Sequence, residues 1–427
     1  MAPGCAAALK CVTVNTPIET ALRRVGERTS IPFAARFAGG GEYHNRESRP
    51  EFTLVFRKAR AYSRIAAYGY VGLLEAYFDG EIDIEGSVAL CMAAGMEGGM
   101  DRPKPLVALL NWWQEFLSSN SSWLRARKNA EFHYSHSPEF YRLWLDDPLM
   151  LYTCAYWEKG TRTLEEAQRA KLDHVARKLL LEPGEDVIDI GSGFGGFLFH
   201  AHERYGVKVT GLNPTRSQVD FVRRQIDLKR IGHSVQILSD YRGIERQFDK
   251  VASIGSLEHA GRDHLPEVIR RHARFLKPGG LGLMHFIGHV GRYPTDYFIR
   301  KYVFPGGWIP GLADVLVELE RAGLEVLDVE NLRRHYALTL DVWGERFDRN
   351  WERIRALDPK TFDERFRRIW RVYLYGCAEM FRSSAGYTHL FQIVFSKGNT
   401  TTYPMSRGFL YEPPAAYPEK RSAGRAA

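Results

Sequence analysis

From Val187 to His285 one pattern repeats. A short apolar run ends in a polar residue or glycine, and a helix-compatible stretch follows. Val187-Ile188-Asp189-Ile190 is the first run, opening into Gly191-Ser192-Gly193-Phe194-Gly195-Gly196 and then Phe197-Leu198-Phe199-His200-Ala201. Val207–Leu212, Ser234–Leu238 and Phe248–Gly255 repeat the strand pattern, and Gln218–Leu228 reads as a helix between two of them. Phe275-Leu276-Lys277-Pro278-Gly279-Gly280 closes a further helix and starts a strand, Leu281–His285. Strands alternating with helices predict an α/β fold with a parallel sheet covered by helices on both faces. Ligands of such sheets sit at the carboxyl ends of the strands. Gly191, Asn213, Asp240, Glu258 and His285 fall at those ends.

Elsewhere the pattern is less regular. Residues 1–30 read as a flexible or weakly helical amino terminus. Residues 31–100 mix strand-like Phe52–Phe56 with helix-like Leu73–Phe78 and predict a smaller α/β domain. Residues 101–145 form a linker in which the basic, aromatic run Trp123-Leu124-Arg125-Ala126-Arg127-Lys128 fits either an interfacial helix or a plain packing helix. A catalytic domain is expected over 146–398, with an aromatic, glycine-containing insertion at about 290–380 that includes Tyr297, Phe298, Tyr302 and Trp308. Such an insertion suits an apolar tunnel wall, although core packing accounts for many aromatics. The proline-containing stretch 399–427 reads as a disordered tail.

The glycine turn narrows the chemistry. Its spacing, Gly-x-Gly-x-Gly, departs from the dinucleotide pattern, and the Gly-Lys-Ser/Thr of phosphate loops is absent. Glycines admit close backbone approach, and amides at a helix start favour an anionic group. A ligand with a carboxylate fits, and S-adenosylmethionine is one. Asn213 stands near the offset at which a ribose-binding side chain occurs, where a nicotinamide enzyme carries an acid. Ser239-Asp240-Tyr241 places a polar and an aromatic group where an adenine would lie.

Composition bounds the rest. The 427 residues are 44% hydrophobic and 26% charged, enough for two or three compact units. No run approaches the ~20 apolar residues of a membrane span, and the start lacks a signal pattern, so a cytoplasmic location is expected. Five cysteines show no paired ligand spacing, so no metal site and free thiols are expected. The net charge of +8 fits a nucleic acid, an anionic membrane surface or simply solvated charge. Dispersed basic residues and the lack of a nucleic-acid module favour the membrane over nucleic acid.

The strand and motif order resembles the class I S-adenosylmethionine-dependent methyltransferases, whose sheet is Rossmann-like. Leu151-Tyr152-Thr153-Cys154-Ala155-Tyr156-Trp157, Ser256-Leu257-Glu258-His259, His285-Phe286-Ile287-Gly288 and Phe391-Gln392-Ile393-Val394-Phe395-Ser396 are similar to the cyclopropane-fatty-acyl-phospholipid synthase family, which includes the mycolic acid cyclopropane synthases. The stretch Ala76–Glu85 resembles the amino-terminal domain of the phospholipid-acting members.

The resemblance implies transfer of the methyl carbon of S-adenosylmethionine to a cis double bond of an unsaturated phospholipid acyl chain, closing a cyclopropane ring. It implies a bound bicarbonate as base, held by Cys154, Glu258, His285, the backbone of Ile287 and Tyr336. Cys377 and Arg382 are expected in supporting positions. Tyr152 and Thr153 would close over the methionine end of the cofactor, beside Asp189, Gly191 and Gly193. Asn213, where the family usually has Thr, and Gln218 would reach the ribose, and Asp240, Tyr241 and Arg242 would border the adenine. A homodimer attached peripherally to the inner face of the membrane, with no nucleic-acid partner, is expected. The alternatives are a methyl- or methylene-branched product from the same alkene, an N-methyltransferase acting on an amine, and a non-catalytic lipid-binding module.

Overall fold

The computed structural model describes residues 17–100, 103–118, 136–239 and 244–411, and the chain divides into two compact units. One unit takes the described residues up to Ser118 together with Thr295–Phe304 and Leu340–Gly386.

That unit is built on a four-stranded sheet of β1 (Phe33–Arg36), β2 (Glu42–His44), β3 (Phe52–Phe56) and β4 (Ile82–Gly86), in the order β2-β1-β3-β4. Helices α1 (Pro17–Arg28), α2 (Arg60–Tyr68), α3 (Tyr70–Phe78) and α4 (Val88–Glu97) accompany it. Every residue of β3 is buried, which explains why four of its five residues are apolar, with Thr53 the exception. The flexible terminus expected over 1–30 is corrected for α1. Ile18 and Val25 sit in the same core as Phe33, Phe52 and Ile65, with Leu22 packed beside them. This stripe repeats at helical spacing, and an Arg23–Glu19 ion pair of 2.6 Å spans one turn of the helix.

The unit also draws in part of the insertion. Phe298 and Tyr302 pack on Phe78 with ring centroids 5.7 and 5.3 Å apart. Arg368, on the helix Glu364–Arg382, donates to the carbonyls of Tyr77 and Ile82 at 2.8 and 3.1 Å. The linear boundary at 290–380 is therefore corrected, because these segments complete the smaller unit's core.

Helix α5 (Pro105–Ser118) closes this unit with its polarity reversed. Its inward face carries Val107 and Asn111. The Asn111 amide donates to the Thr295 carbonyl at 2.9 Å and accepts from Arg300 at 3.1 Å, and Arg300 pairs with Glu115 at 3.0 Å. Its outward face carries Leu106, Leu109, Trp112, Trp113, Phe116 and Leu117, each 44–67% exposed. The run Trp123–Lys128 lies outside the described residues.

The second unit carries a seven-stranded sheet in the order β10-β11-β9-β8-β5-β6-β7. Its strands are β5 (Asp186–Ile190), β6 (Lys208–Leu212), β7 (Val235–Leu238), β8 (Phe248–Ile254), β9 (Leu276–His289), β10 (Leu324–Asn331) and β11 (Thr388–Lys397). The strands from β9 to β7 are mutually parallel, while β11 and β10 are added antiparallel. The chain winds from β5 out to β7, then crosses to β8 on the other side. The switch point thus lies between β5 and β8, where open α/β sheets bind ligands. Alternate residues feed two cores: Val187 and Leu283 face one side, Ile188 and Met284 the other.

Two local readings change here. β9 begins at Leu276, and Pro278-Gly279-Gly280 forms no separate turn. Phe248 pairs with Leu276 and Lys250 with Leu281, so the extra residues bulge out of β9, with Gly279 at φ 75°. The tail expected to be disordered is docked as far as Tyr411. Leu410 is buried and its carbonyl accepts from Arg177 at 2.7 Å. No helix among the described residues is long and apolar enough to cross a membrane.

Candidate active site

The cofactor end is made of backbone. After β5, Gly191, Gly193 and Gly195 all adopt positive φ (82°, 53° and 84°), and the helix α6 (Gly196–Tyr205) starts immediately afterwards. A Cβ on Gly191 would lie 2.6 Å from Ser256 Cβ, so the loops after β5 and β8 meet through this glycine. A Cβ on Gly193 would meet nothing within 4 Å. The turn therefore leaves open space over Gly193, in front of the amides of a helix start. Asn213 braces the turn from below. Its amide nitrogen donates to the Gly193 carbonyl at 2.9 Å and to Gln218 Oε1 at 3.0 Å, and its oxygen accepts from Thr215 N at 2.9 Å. Both of the amide's protons are thus committed to the fold, so a ribose hydroxyl reached by Asn213 would have to donate to its Oδ1. Asp240, Tyr241 and Arg242 lie outside the described residues.

A second wall is the segment Leu151–Trp157, held by a polar stripe on the helix Leu164–Lys178. Gln168 donates to the carbonyls of Leu151 and Thr153 at 3.3 and 2.9 Å, and Lys171 donates to Thr153 Oγ1 at 2.7 Å. Both side chains are fully buried. From the other side Thr339 Oγ1 accepts from Ala155 N and Trp157 Nε1, each at 3.1 Å. Cys154 is thereby fixed with no exposure, its thiol directed to the Ala155 carbonyl at 3.2 Å. Burial drives its pKa far up, so it is a protonated thiol and no nucleophile. Tyr152 packs edge-on to Trp144 at 5.1 Å. Tyr336 is buried one helical turn before Thr339, on the helix that anchors the Cys154 segment.

The third component joins β8 to β9. Gly255 N donates to the His285 carbonyl at 2.7 Å, and Thr153 packs where a Gly255 Cβ would stand. Glu258 follows on a single turn of helix, and its Oε1 accepts from Ile287 N at 2.6 Å. The backbone of Ile287, expected beside the anion, thus lends its N–H to Glu258. Glu258 Oε2 and His285 Nε2 are both sealed from solvent and find no hydrogen-bond partner among the described residues. Such orphaned groups are costly unless a ligand completes them.

Burial sets the protonation states. It pushes the Glu258 carboxyl up to about 7 against the pull of the Ile287 amide, and holds His285 well below the ordinary histidine range, hence neutral. Burial also raises Asp189 to about 7, opposed by the charge of Lys171. Asp146, whose Oδ1 accepts from Leu151 N at 2.8 Å, is raised in the same way. Lys171, sharing this desolvated region with Asp146, Cys154 and Asp189, is lowered by burial.

The structure thus gathers Tyr152, Thr153, Cys154, Asp189, Gly191, Gly193, Glu258, His285 and Ile287 around the switch point, with Asn213 and Gln218 beneath it. It places Cys377 and Arg382 in the other unit, where Arg382 pairs with Glu379 and Asp341. Lys171, Thr339 and Gln392 escaped the sequence reading. Lys171 carried a signal, since it occupies an inward position of a helix stripe shared with Leu164, Ala167, Leu172 and Val175. Gln392 is likewise a lone amide among apolar residues of a buried strand.

Comparison with known proteins agrees with this geometry. The family model for mycolic acid cyclopropane synthetase matches residues 122–393. The chain is 38% identical over 283 residues to a probable fatty acid methyltransferase of Pseudomonas putida, covering 64% of this chain and 70% of that protein. It is 34% identical over 342 residues to the cyclopropane-fatty-acyl-phospholipid synthase of Escherichia coli, covering 79% and 86%. The mycolic acid cyclopropane synthase CmaA1, solved in complex with SAH and CTAB, superposes with a TM-score of 0.58 at 33% identity, over 64% of this chain and 98% of that one. The chain belongs to the mycolic acid cyclopropane synthetase family and is an S-adenosylmethionine-dependent methyltransferase of the cyclopropane-synthase type.

Proposed function

We propose that the protein closes a cyclopropane ring across a cis double bond in the acyl chain of a membrane phospholipid, with bicarbonate as the base. The observation that carries this is the pair of orphaned buried atoms, Glu258 Oε2 and His285 Nε2. A methyl transfer to an amine needs no second anion site, whereas ring closure needs a group to remove a proton from the methylated chain. S-adenosylmethionine supplies an electrophilic methyl when bound, and bicarbonate a base.

This chain's residues do the rest. The open turn at Gly193 admits the cofactor, and the Leu151–Trp157 segment walls it. Glu258, ionised, would hold the bicarbonate through Oε2 while Ile287 N fixes Oε1. Neutral His285 would donate to it from Nε2. Cys154 would add an uncharged thiol to the same region, and Tyr336 is the phenol that the family resemblance assigns to it. Sealing these groups from solvent excludes water that would trap a carbocation.

The sequence of the E. coli phospholipid synthase aligns with a longer part of this chain than does the family model, which supports a phospholipid substrate. The reversed polarity of α5 supports docking on a bilayer, because tryptophan and phenylalanine on an otherwise uncharged helix face suit the headgroup boundary. The net charge of +8 favours an anionic surface. A peripheral location on the inner face of the membrane and a homodimer are part of the same proposal. The test is to incubate the protein with labelled S-adenosylmethionine and vesicles of unsaturated phospholipid and to identify the acyl product by mass spectrometry. A ring-containing chain is expected. A methyl or methylene branch, or label on an amine, would replace the proposal.

A further inference from the structure

We propose that Gln392 is the positioning residue that fixes the tautomer of His285: its carboxamide nitrogen donates to Nδ1, so the single ring proton sits on Nε2, and His285 can only donate to the anion beside Glu258. This rests on the bicarbonate reading above for the identity of the anion, and on the geometry alone for the tautomer.

Gln392 lies directly across from His285 in the β11–β9 pairing, so both side chains rise from the same face of the sheet. Gln392 is fully buried and His285 is 1% exposed. The Gln392 amide nitrogen stands 3.1 Å from His285 Nδ1. A neutral imidazole has one proton, and the nitrogen that accepts a hydrogen bond does not carry it. With Nδ1 accepting, Nε2 is the donor, and Nε2 is the ring atom left without a protein partner.

The row continues on β10, where Glu330 pairs with Gln392 in register. Glu330 is bound to His174 Nε2 at 2.7 Å and to Lys178 Nζ at 2.6 Å, so its charge is already satisfied. Gln392 therefore separates the imidazole from the Glu330 carboxylate. A carboxylate at 392 would accept from Nδ1 and pull the proton to the wrong nitrogen. A carboxamide supplies a proton and no charge. The opposite rotamer of the amide would reverse the tautomer and leave Nε2 an acceptor, unable to donate to an anion.

The test reads the ring nitrogens directly. In protein labelled with ¹⁵N-histidine, His285 is assigned by its loss in His285→Asn. The expected spectrum shows a protonated Nε2 and an unprotonated Nδ1 in the unsubstituted enzyme. Protonated Nδ1 there overturns the proposal, whatever any variant does. Gln392→Glu, of the same size, should move the proton to Nδ1 and reduce turnover by roughly 100-fold or more, as a wrong tautomer does in other acid–base sites. Gln392→Met, which keeps the volume, should lose less, roughly tenfold, with a mixed tautomer. Equal losses in both variants with the Nε2 proton retained would mean that Gln392 only packs. Addition of sodium bicarbonate should shift the Nε2 signal. A protonated Nε2 that ignores bicarbonate would refute the base reading and leave the tautomer assignment standing.

Discussion

The glycine turn after β5 and the Glu258–His285 corner between β8 and β9 lie at the carboxyl ends of one sheet, yet they are built in opposite ways. The turn is made of backbone, with three glycines at positive φ, and Asn213 commits both of its amide protons to the fold beneath it. The corner is made of side chains drawn from distant segments, and two of their polar atoms are left without partners. A backbone cradle can be complete without its ligand. A set of side chains with orphaned atoms is complete only with one. On the proposed function, the first would recognise a cofactor by shape, and the second would hold an anion by charge and hydrogen bonding.

That contrast can be broken by substitution at each end. The largest effect is expected at Gly193. Valine there adds a side chain in the open space of the turn and strains a φ of 53°. Calorimetry should detect no S-adenosylmethionine binding in a variant that still folds, and unchanged affinity would show that the cofactor lies elsewhere. Lys171→Met comes next. It removes a buried cation and leaves Asp146 and Asp189 without it, at a cost on the order of 3–5 kcal/mol of stability. Urea unfolding should show that loss, and a neutral result would mean the cluster is silent.

A pH series sharpens the comparison further. Glu258 is raised to about 7, so between the ordinary carboxylate range and about pH 7 the native state binds more protons than the unfolded one. Stability should fall as pH rises across that window and level off above it. Turnover should move the other way, rising about tenfold per unit below pH 7 as the carboxylate ionises. Glu258→Gln should flatten only part of the stability slope, because Asp189 is raised in the same direction. A turnover that is flat from pH 5 to 7 would count against an ionised Glu258.

The smallest effect concerns α5. Trp112→Ser combined with Phe116→Ser should lower activity on anionic vesicles several-fold and leave activity on detergent-dispersed lipid unchanged. Equal activity on vesicles would remove α5 from the docking surface. Point substitutions are preferable to truncation here, since deleting the amino-terminal segment would also strip Phe298 and Tyr302 of their packing on Phe78.

The same contrast explains what was legible in the sequence. The parallel strands and the turn are local: Val187–Gly196 contains its own strand, its glycines and its helix start. The corner is not local. Thr339 reaches Ala155 across 184 positions, and Gln392 reaches His285 across 107. No spacing rule connects such residues, and only the family resemblance pointed to Cys154, Glu258 and His285 together. Helix α1 was left between flexible and weakly helical because its apolar stripe is short and interrupted by charge. The split of the insertion was missed because Phe298 and Tyr302 look the same in sequence whether they wall a tunnel or fill a core. The hydrogen bond from Ile287 N to Glu258 was not legible, since a backbone amide carries no sequence signal of what it binds.

The most direct test of the division between the two ends is Glu258→Gln, with cofactor affinity and turnover measured on the same preparation. The substitution removes a charge and keeps the side-chain volume. S-adenosylmethionine affinity should stay within about twofold, while turnover on unsaturated phospholipid vesicles falls by roughly 100-fold or more. Parallel loss of both, or turnover that survives intact, would contradict the account.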